Sequence, residues 1–122
     1  MTPDLHLRKF LFQYAMDTYG TQPEYLWEKS PDNAILRHKE NGKWYAVVLD
    51  VHEKKLGLPG DGTVDVLNVK CDPLEIGSLL RKKGFFPAYH MNKNHWISIL
   101  LDGSVPEEEI LYFLDESYGL TG

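Results

Sequence analysis

The chain has 122 residues, of which 43% are hydrophobic and 25% are charged, a composition typical of one globular domain with a single hydrophobic core. No apolar run approaches the ~18 residues of a membrane-spanning helix, and the only cysteine, Cys71, cannot form an internal disulfide or a cysteine-based zinc cage. The net charge of −5 argues against a protein that gains its affinity mainly by neutralising phosphates. We therefore expect one cytoplasmic domain over residues 1–122 that makes no contact with a membrane.

The first helix is predicted over residues 2–20. Thr2 has the hydroxyl of an N-cap residue, Pro3 suits the first helical position, and Gly20 ends the pattern. Apolar side chains recur between them at nearly helical spacing: Leu5, Phe10, Leu11, Tyr14, Ala15 and Tyr19. We expect this helix to pack on a sheet.

A β-hairpin is predicted around Asn41-Gly42, within the segment ILRHKENGKWYAVVLDV. Both residues tolerate the positive φ of a two-residue type I′ turn. Such a turn would place Leu36 opposite Val47 and Arg37 opposite Ala46. This register assigns one set of residues to a core face and another to an exposed face: Leu36, Val47, Leu49 and Val51 to the first, and Arg37, Lys39 and Trp44 to the second.

The second half of the chain begins with a further strand and a helix, and it ends with another helix. VDVLNVKC alternates as a strand, and Asp72-Pro73 with Glu75 begins a helix that Gly84 ends. Ser104 and Glu107 predict a second capping box before the closing helix. The apolar positions of that helix are Ile110, Leu111, Leu114 and Tyr118.

A second hairpin is predicted from FFPAYHM and WISILLD, which flank a polar Asn-Lys-Asn run. A loop with an even number of residues would place His90 opposite Ile97. The apolar face would then consist of Phe86, Ala88, His90, Ile97, Ile99 and Leu101. We expect His90 to be a hydrogen-bonded histidine at the rim of the core, with Tyr89, Met91 and Trp96 on the other face. A three-residue loop would instead pair His90 with Trp96.

The order of helix, strands, helix, hairpin and helix predicts an α+β fold of two layers. We expect a mostly antiparallel sheet of five or six strands with three helices against one face. The segments VLNVKCDP, PAYHMNKNHWISILLDGSVPEEEI and LDESYGL resemble the YjbR/MmcQ family of small bacterial proteins. The resemblance covers essentially the whole chain and implies a fold similar to secretion-chaperone-like domains, with Tyr89, His90 and Met91 in the signature. It also implies DNA binding through a "double wing" of two hairpins, and no catalytic residue set.

No arrangement of side chains in the sequence predicts catalysis or metal binding. The five histidines include no i, i+4 pair of the kind that binds zinc, so we expect neither a metal nor a cofactor. Cys71 precedes a helix N-terminus, but no base is near it in the sequence, and a buried cysteine is the commoner case. We therefore predict a protein that is not an enzyme.

The central part of the chain offers the best candidate for binding. Residues 29–93 carry eleven basic and eight acidic side chains, whereas residues 94–122 carry none and six. We predict weak DNA binding with a regulatory role through Arg37, Lys39, Lys43, Trp44, Asn92, Lys93 and Trp96. Lysines at hairpin tips also protect edge strands from aggregation, which explains the same residues structurally. The alternative function is a protein- or small-ligand-binding adaptor that uses the same surface. Either protein would be a monomer or a small homo-oligomer.

Overall fold

Five antiparallel strands form one sheet, and three helices pack against one of its faces. The computed structural model describes residues 6–122, so the predicted cap at Thr2 and Pro3 lies outside the described residues. The helices are α1 (His6–Tyr19), α2 (Pro73–Leu79) and α3 (Glu107–Thr121), and a short 3-10 helix covers Glu53–Leu56. The strands are β1 (Ala34–Arg37), β2 (Trp44–His52), β3 (Thr63–Lys70), β4 (Phe85–Pro87) and β5 (Trp96–Leu100). They lie in the order β1-β2-β3-β5-β4, which confirms the α+β prediction.

The main core lies between the helices and one face of the sheet, which we call the helix face. Leu11 of α1 and Leu114 of α3 are almost completely buried there against Leu67 of β3 and Ile99 of β5. Alternate residues of a strand point to the same face, so Leu67 and Val69 face the helices together. Burial of each such side chain contributes about 1.5–3 kcal/mol, and the helix face therefore dominates the stability of the fold.

The opposite face of the sheet, which we call the outer face, carries a second apolar cluster. Its buried members are Ile35, Val47, Leu49, Val51, Val64, Val66 and Leu100. Leu56 and Leu58, which follow β2, and Tyr89 and Met91, which follow β4, pack against this cluster and are partly buried. The centre of β2 is consequently buried on both faces, which explains its unbroken apolar run from Tyr45 to Leu49.

The first hairpin differs in register from the prediction. The His38 amide donates to the Lys43 carbonyl and the Gly42 amide donates to the His38 carbonyl, so residues 39–42 form a four-residue loop. Leu36 lies opposite Ala46, and a bulge follows at Tyr45. The predicted pairing of Leu36 with Val47 is therefore wrong.

The Asn41 side chain explains why the two-residue turn does not form. Its Oδ1 accepts from the Lys43 amide at 2.8 Å, and its Nδ2 donates to the Thr121 carbonyl at 2.9 Å. This second bond ties the loop to the last turn of α3, and among residues 39–42 positive φ is confined to Gly42. As a consequence Ile35, rather than Leu36, shares the outer face with Val47 and Leu49.

The second hairpin is shorter than predicted and has a different register. Phe85 lies opposite Ile99 and Pro87 lies opposite Ile97, a shift of three positions from the predicted pairing. Pro87 has no amide hydrogen to continue the ladder, so β4 ends there and residues 88–95 form a long loop. An odd shift exchanges the two faces, and Phe86 packs on the outer face. The predicted apolar face, which contained Phe86 and His90 but not Phe85, is therefore wrong, because Phe85 lies in the main core.

The predicted start of α2 is confirmed, whereas the predicted cap of α3 is wrong. The Asp72 carboxylate accepts from the Leu74 amide at 2.9 Å, and Pro73 occupies the first turn of α2. α3 begins after Pro106 without a side-chain cap, because Ser104 donates to Asp102 in the preceding turn. Gly84 adopts a φ of 89° in the turn before β4, where a Cβ atom would lie 2.5 Å from Val105.

Candidate functional site

The topology brings the two predicted binding loops to the same end of the sheet. β1 and β4 end there, and β2 and β5 begin there, because every neighbouring pair of strands is antiparallel. Residues 39–42 therefore lie on one side of this end and residues 88–95 on the other, with the end of β3 between them. The sequence could place each loop after its strand, but it could not show that both lie at one end.

Four side chains form a row across this end of the outer face, which we call the cross-strand row: Arg37, Trp44, Lys70 and Trp96. Arg37 lies opposite Trp44, and Lys70 lies opposite Trp96. Every second residue of a strand points to the same face. Lys70 therefore shares the outer face with Val66 and Asn68 of β3, and Trp96 shares it with Ser98 and Leu100 of β5. All four side chains are half-buried.

The sequence predicted three members of the cross-strand row and missed Lys70. Trp44 was expected to be exposed, but it is half-buried against the outer-face cluster. The signal for Lys70 was its place in the alternating strand VDVLNVKC, two residues after the buried Asn68. Without the strand order, however, nothing linked Lys70 to the two tryptophans.

The charges near this end are divided between paired and unpaired groups. Arg37 donates from Nε to Glu24 Oε2 at 2.7 Å, so its charge is largely balanced. Within residues 6–122, four lysines at this end form no ion pair with a carboxylate within 4 Å: Lys39, Lys43, Lys70 and Lys93. Three of them are exposed and Lys70 is half-buried. These lysines, rather than Arg37, supply the available positive charge.

Asn92 and Lys93 lie in a turn that precedes β5. The Asn92 side chain accepts from the Asn94 amide at 2.8 Å, and the Asn92 carbonyl accepts from the amides of His95 and Trp96. Both Asn92 and Lys93 are exposed. The turn presents the Lys93 ammonium group to solvent, but it belongs to the long loop and is not the tip of a two-stranded wing.

A buried polar network fixes the first part of this loop on the outer face. The Tyr89 amide donates to Ser98 Oγ at 2.9 Å, and Asn68 Nδ2 donates to the Tyr89 carbonyl at 2.8 Å. Ser98 Oγ in turn donates to Asn68 Oδ1. Asn68 and Ser98 are fully buried, so the network fixes the position of the Tyr89 backbone.

His90 has a different position from the predicted one. It is exposed, its φ is 61°, and its ring lies 4.0 Å from that of Tyr89. The expected hydrogen-bonded histidine at the rim of the core is therefore wrong. Of the signature residues, Tyr89 and Met91 pack on the outer face as predicted, and the polar network beneath Tyr89 turns His90 outward.

A cleft of about 370 Å³ opens beside the cross-strand row, and we call it the tryptophan cleft. Its lining includes Trp27 and Trp44, His90 and Met91 of the long loop, and the buried Val47 and Leu49 of β2, which form its floor. The two indole rings are nearly perpendicular, with their centroids 5.9 Å apart. Ser30 and Asn33 add polar groups to the lining. Trp27, Ser30 and Asn33 had no recognisable signal in the sequence, since they lie in an irregular loop.

Burial makes two titratable groups on the helix side weaker acids. Burial raises the pKa of the Cys71 thiol to about 11, with a further contribution from the nearby Glu116. Burial also raises the pKa of Tyr45 to about 12. Within residues 6–122, no group of three or more His, Cys, Asp or Glu side chains is arranged to hold a metal ion. In the same part of the chain, no helix has the length and apolar character needed to cross a bilayer.

Comparisons with known proteins agree with the family resemblance. A family model described as YjbR matches residues 16–120. The chain is 47% identical over 115 residues to the Bacillus subtilis protein named "Uncharacterized protein YyaQ", which covers 93% of this chain and 97% of that protein. The crystal structure of a Pseudomonas syringae protein is 45% identical, with a TM-score of 0.92 over 94% of this chain and 98% of the other. Deinococcus radiodurans protein DR2400 shares the fold at 22% identity, with a TM-score of 0.69 over 93% of this chain and 76% of that one. The agreement between the family model, the relatives and the fold shows that this chain belongs to the YjbR family.

Proposed function

We propose that the protein binds DNA, without catalysing a reaction, through the cross-strand row and the two loops beside it. The observation that carries the proposal is the row itself, in which Lys70 separates two tryptophans on one face of the sheet. Cations bind the phosphate backbone, and indole rings offer surfaces on which bases stack. An arrangement that combines both is suited to a nucleic acid.

The dimensions of this surface support the proposal. Neighbouring strands lie about 4.8 Å apart, so a row over four strands extends about 14 Å. Lys39 and Lys43 lie at one end of the row and Lys93 at the other, all three exposed. This separation allows contacts to several phosphates of one DNA segment.

The overall acidity of the chain lowers the expected affinity for DNA, but it does not exclude a local binding surface. Part of the acidity lies far from this surface, because Glu107, Glu108 and Glu109 all lie in the first turn of α3. α3 ends at the loop of the first hairpin, so its first turn is at the far end of the molecule from the row. Exposed charges further apart than about 10 Å are largely screened at 0.1 M salt, and a local basic surface can therefore act independently.

An adaptor for a protein partner is a second candidate, and a specific surface favours it. Tyr25, Leu26 and Trp27 are 55%, 46% and 37% exposed in one short segment beside the cleft. Consecutive exposed apolar side chains of this size are typical of protein interfaces. This surface would remain available if the lysines prove to have no role.

Fluorescence anisotropy with labelled single-stranded and duplex oligonucleotides across a salt series tests DNA binding. We expect binding that weakens steeply as salt increases, because bound lysines release counterions from the phosphates. Lys70→Ala should weaken binding about three- to tenfold and reduce the salt slope by about 1.

The matched control is Lys55→Ala, which removes an exposed lysine from the 3-10 helix at the opposite end of the sheet. It should leave both the affinity and the slope close to those of the unmodified protein. Absence of binding to both forms of DNA at 50 mM salt would refute the proposal, and so would equal effects of the two substitutions.

A further inference from the structure

We propose that the tryptophan cleft takes up one unstacked base, so that the preferred partner is single-stranded DNA. This inference rests on the proposed function, since the cross-strand row would hold the phosphates on either side of that base. Trp44 belongs to both the row and the cleft, which makes the two surfaces continuous.

The size and the walls of the cleft fit a single planar ring system. Small-molecule pockets have volumes of roughly 300–1,000 Å³, and the cleft, at about 370 Å³, lies near the lower limit. Trp27 and Trp44 meet at 86°, so a base that stacks on one indole presents its edge to the other. Met91 adds a polarisable thioether side chain to the lining. A base that remains paired and stacked within a duplex cannot enter the tryptophan cleft.

Polar groups around the cleft are able to recognise the edge of a base. Asn33 Oδ1 accepts from the Asp50 amide at 2.9 Å, which fixes the side chain. Its Nδ2 forms no hydrogen bond within the described residues, and Asn33 lines the cleft together with Ser30 and His90. Single-stranded nucleic acids are read in this way, by stacking together with hydrogen bonds to exposed base edges.

Residues on both sides of the cleft are held in place by partly buried hydrogen bonds. On one side, Arg8 donates from Nη1 to the Asp32 carbonyl, next to Asn33. On the other, the Asn68 and Ser98 side chains hold the Tyr89 backbone, and His90 is kept at a φ of 61°. A residue other than glycine rarely adopts that conformation, and such residues concentrate at binding sites. The cleft is therefore formed before a ligand arrives.

The test compares a labelled 12-nucleotide single strand with the same sequence as a duplex, using anisotropy and intrinsic tryptophan fluorescence. We expect the single strand to bind about tenfold more tightly than the duplex and to quench the fluorescence. Trp27→Leu should weaken single-strand binding by about tenfold, the loss expected for one base–aromatic stack, and should leave duplex binding unchanged. Trp27 is 37% exposed, so this substitution leaves the core intact.

Two further variants control the interpretation. Tyr25→Leu removes an exposed aromatic residue that does not line the cleft, and it should bind like the unmodified protein. His90→Gly suits the positive φ of that position, so it should fold normally while it weakens single-strand binding several-fold. Equal affinity for both forms of DNA, with Trp27→Leu and His90→Gly unaffected, would overturn the base-binding cleft and leave the proposed function in place. Absence of binding to either form would overturn both.

Discussion

Replacing Asp65 by Asn should destabilise the protein strongly, because it breaks a buried ion pair. Arg8 of α1 donates from Nε to Asp65 Oδ2 at 2.9 Å and from Nη2 to Oδ1 at 2.7 Å. The two side chains are 11% and 6% exposed. An amide at position 65 would leave the guanidinium charge buried without a balancing carboxylate.

The expected loss follows from this burial. Removing one partner of a buried ion pair costs about 3–5 kcal/mol, a large part of the roughly 5–15 kcal/mol that stabilises a typical domain. For a chain of this length the loss lowers Tm by about 10–20 °C. Urea unfolding followed by the fluorescence of Trp27, Trp44 and Trp96 measures the change in the free energy of unfolding.

Two further variants complete the experiment. Asp61→Asn removes the carboxylate of an exposed ion pair with Lys54 and should cost less than about 1 kcal/mol. The double variant Arg8→Met with Asp65→Val replaces both charges by apolar groups and should recover most of the lost stability. A loss below about 1 kcal/mol for Asp65→Asn would contradict this prediction, since it would mean that water solvates the pair.

Two other predictions concern the groups at the N-terminus of α2. Cys71 is 1% exposed and burial raises its pKa to about 11, so a thiol reagent at pH 8 should modify it only after unfolding, and rapid labelling of the native protein would contradict this. Desolvation and the nearby Glu116 raise the pKa of Glu75 in the folded protein. The resulting contribution to stability is fully present below the ordinary glutamate pKa of about 4.3, and it is lost as pH rises through the raised pKa of the folded state. Glu75→Gln should therefore raise Tm by about 1–2 °C at pH 8, a small effect because Glu75 is exposed, and should change it less at pH 4. An equal effect at both pH values would exclude this explanation.

Features that depend on neighbouring residues could be predicted from the sequence. Asp72, Pro73 and Glu75 lie within one helical turn, so the start of α2 could be read directly, and the alternation of VDVLNVKC identified β3 in the same way. The apolar spacing in α3 also held, with Ile110 and Leu114 in the main core. These local patterns and the family segments were sufficient for the fold class.

The register of both hairpins and the composition of the candidate site depend on contacts between distant parts of the chain. Asn41 bonds to Thr121, eighty residues away, and this contact favours a four-residue loop over the turn that Asn41-Gly42 predicts. Hydrogen bonds between the Tyr89 backbone and the side chains of Asn68 and Ser98 hold the chain after Pro87 on the outer face, and no local sequence pattern predicts them. The strand order places Lys70 between two tryptophans, and the packing of an irregular loop brings Trp27 to Trp44. Such contacts join residues far apart in sequence, so their energies act only once the sheet has formed.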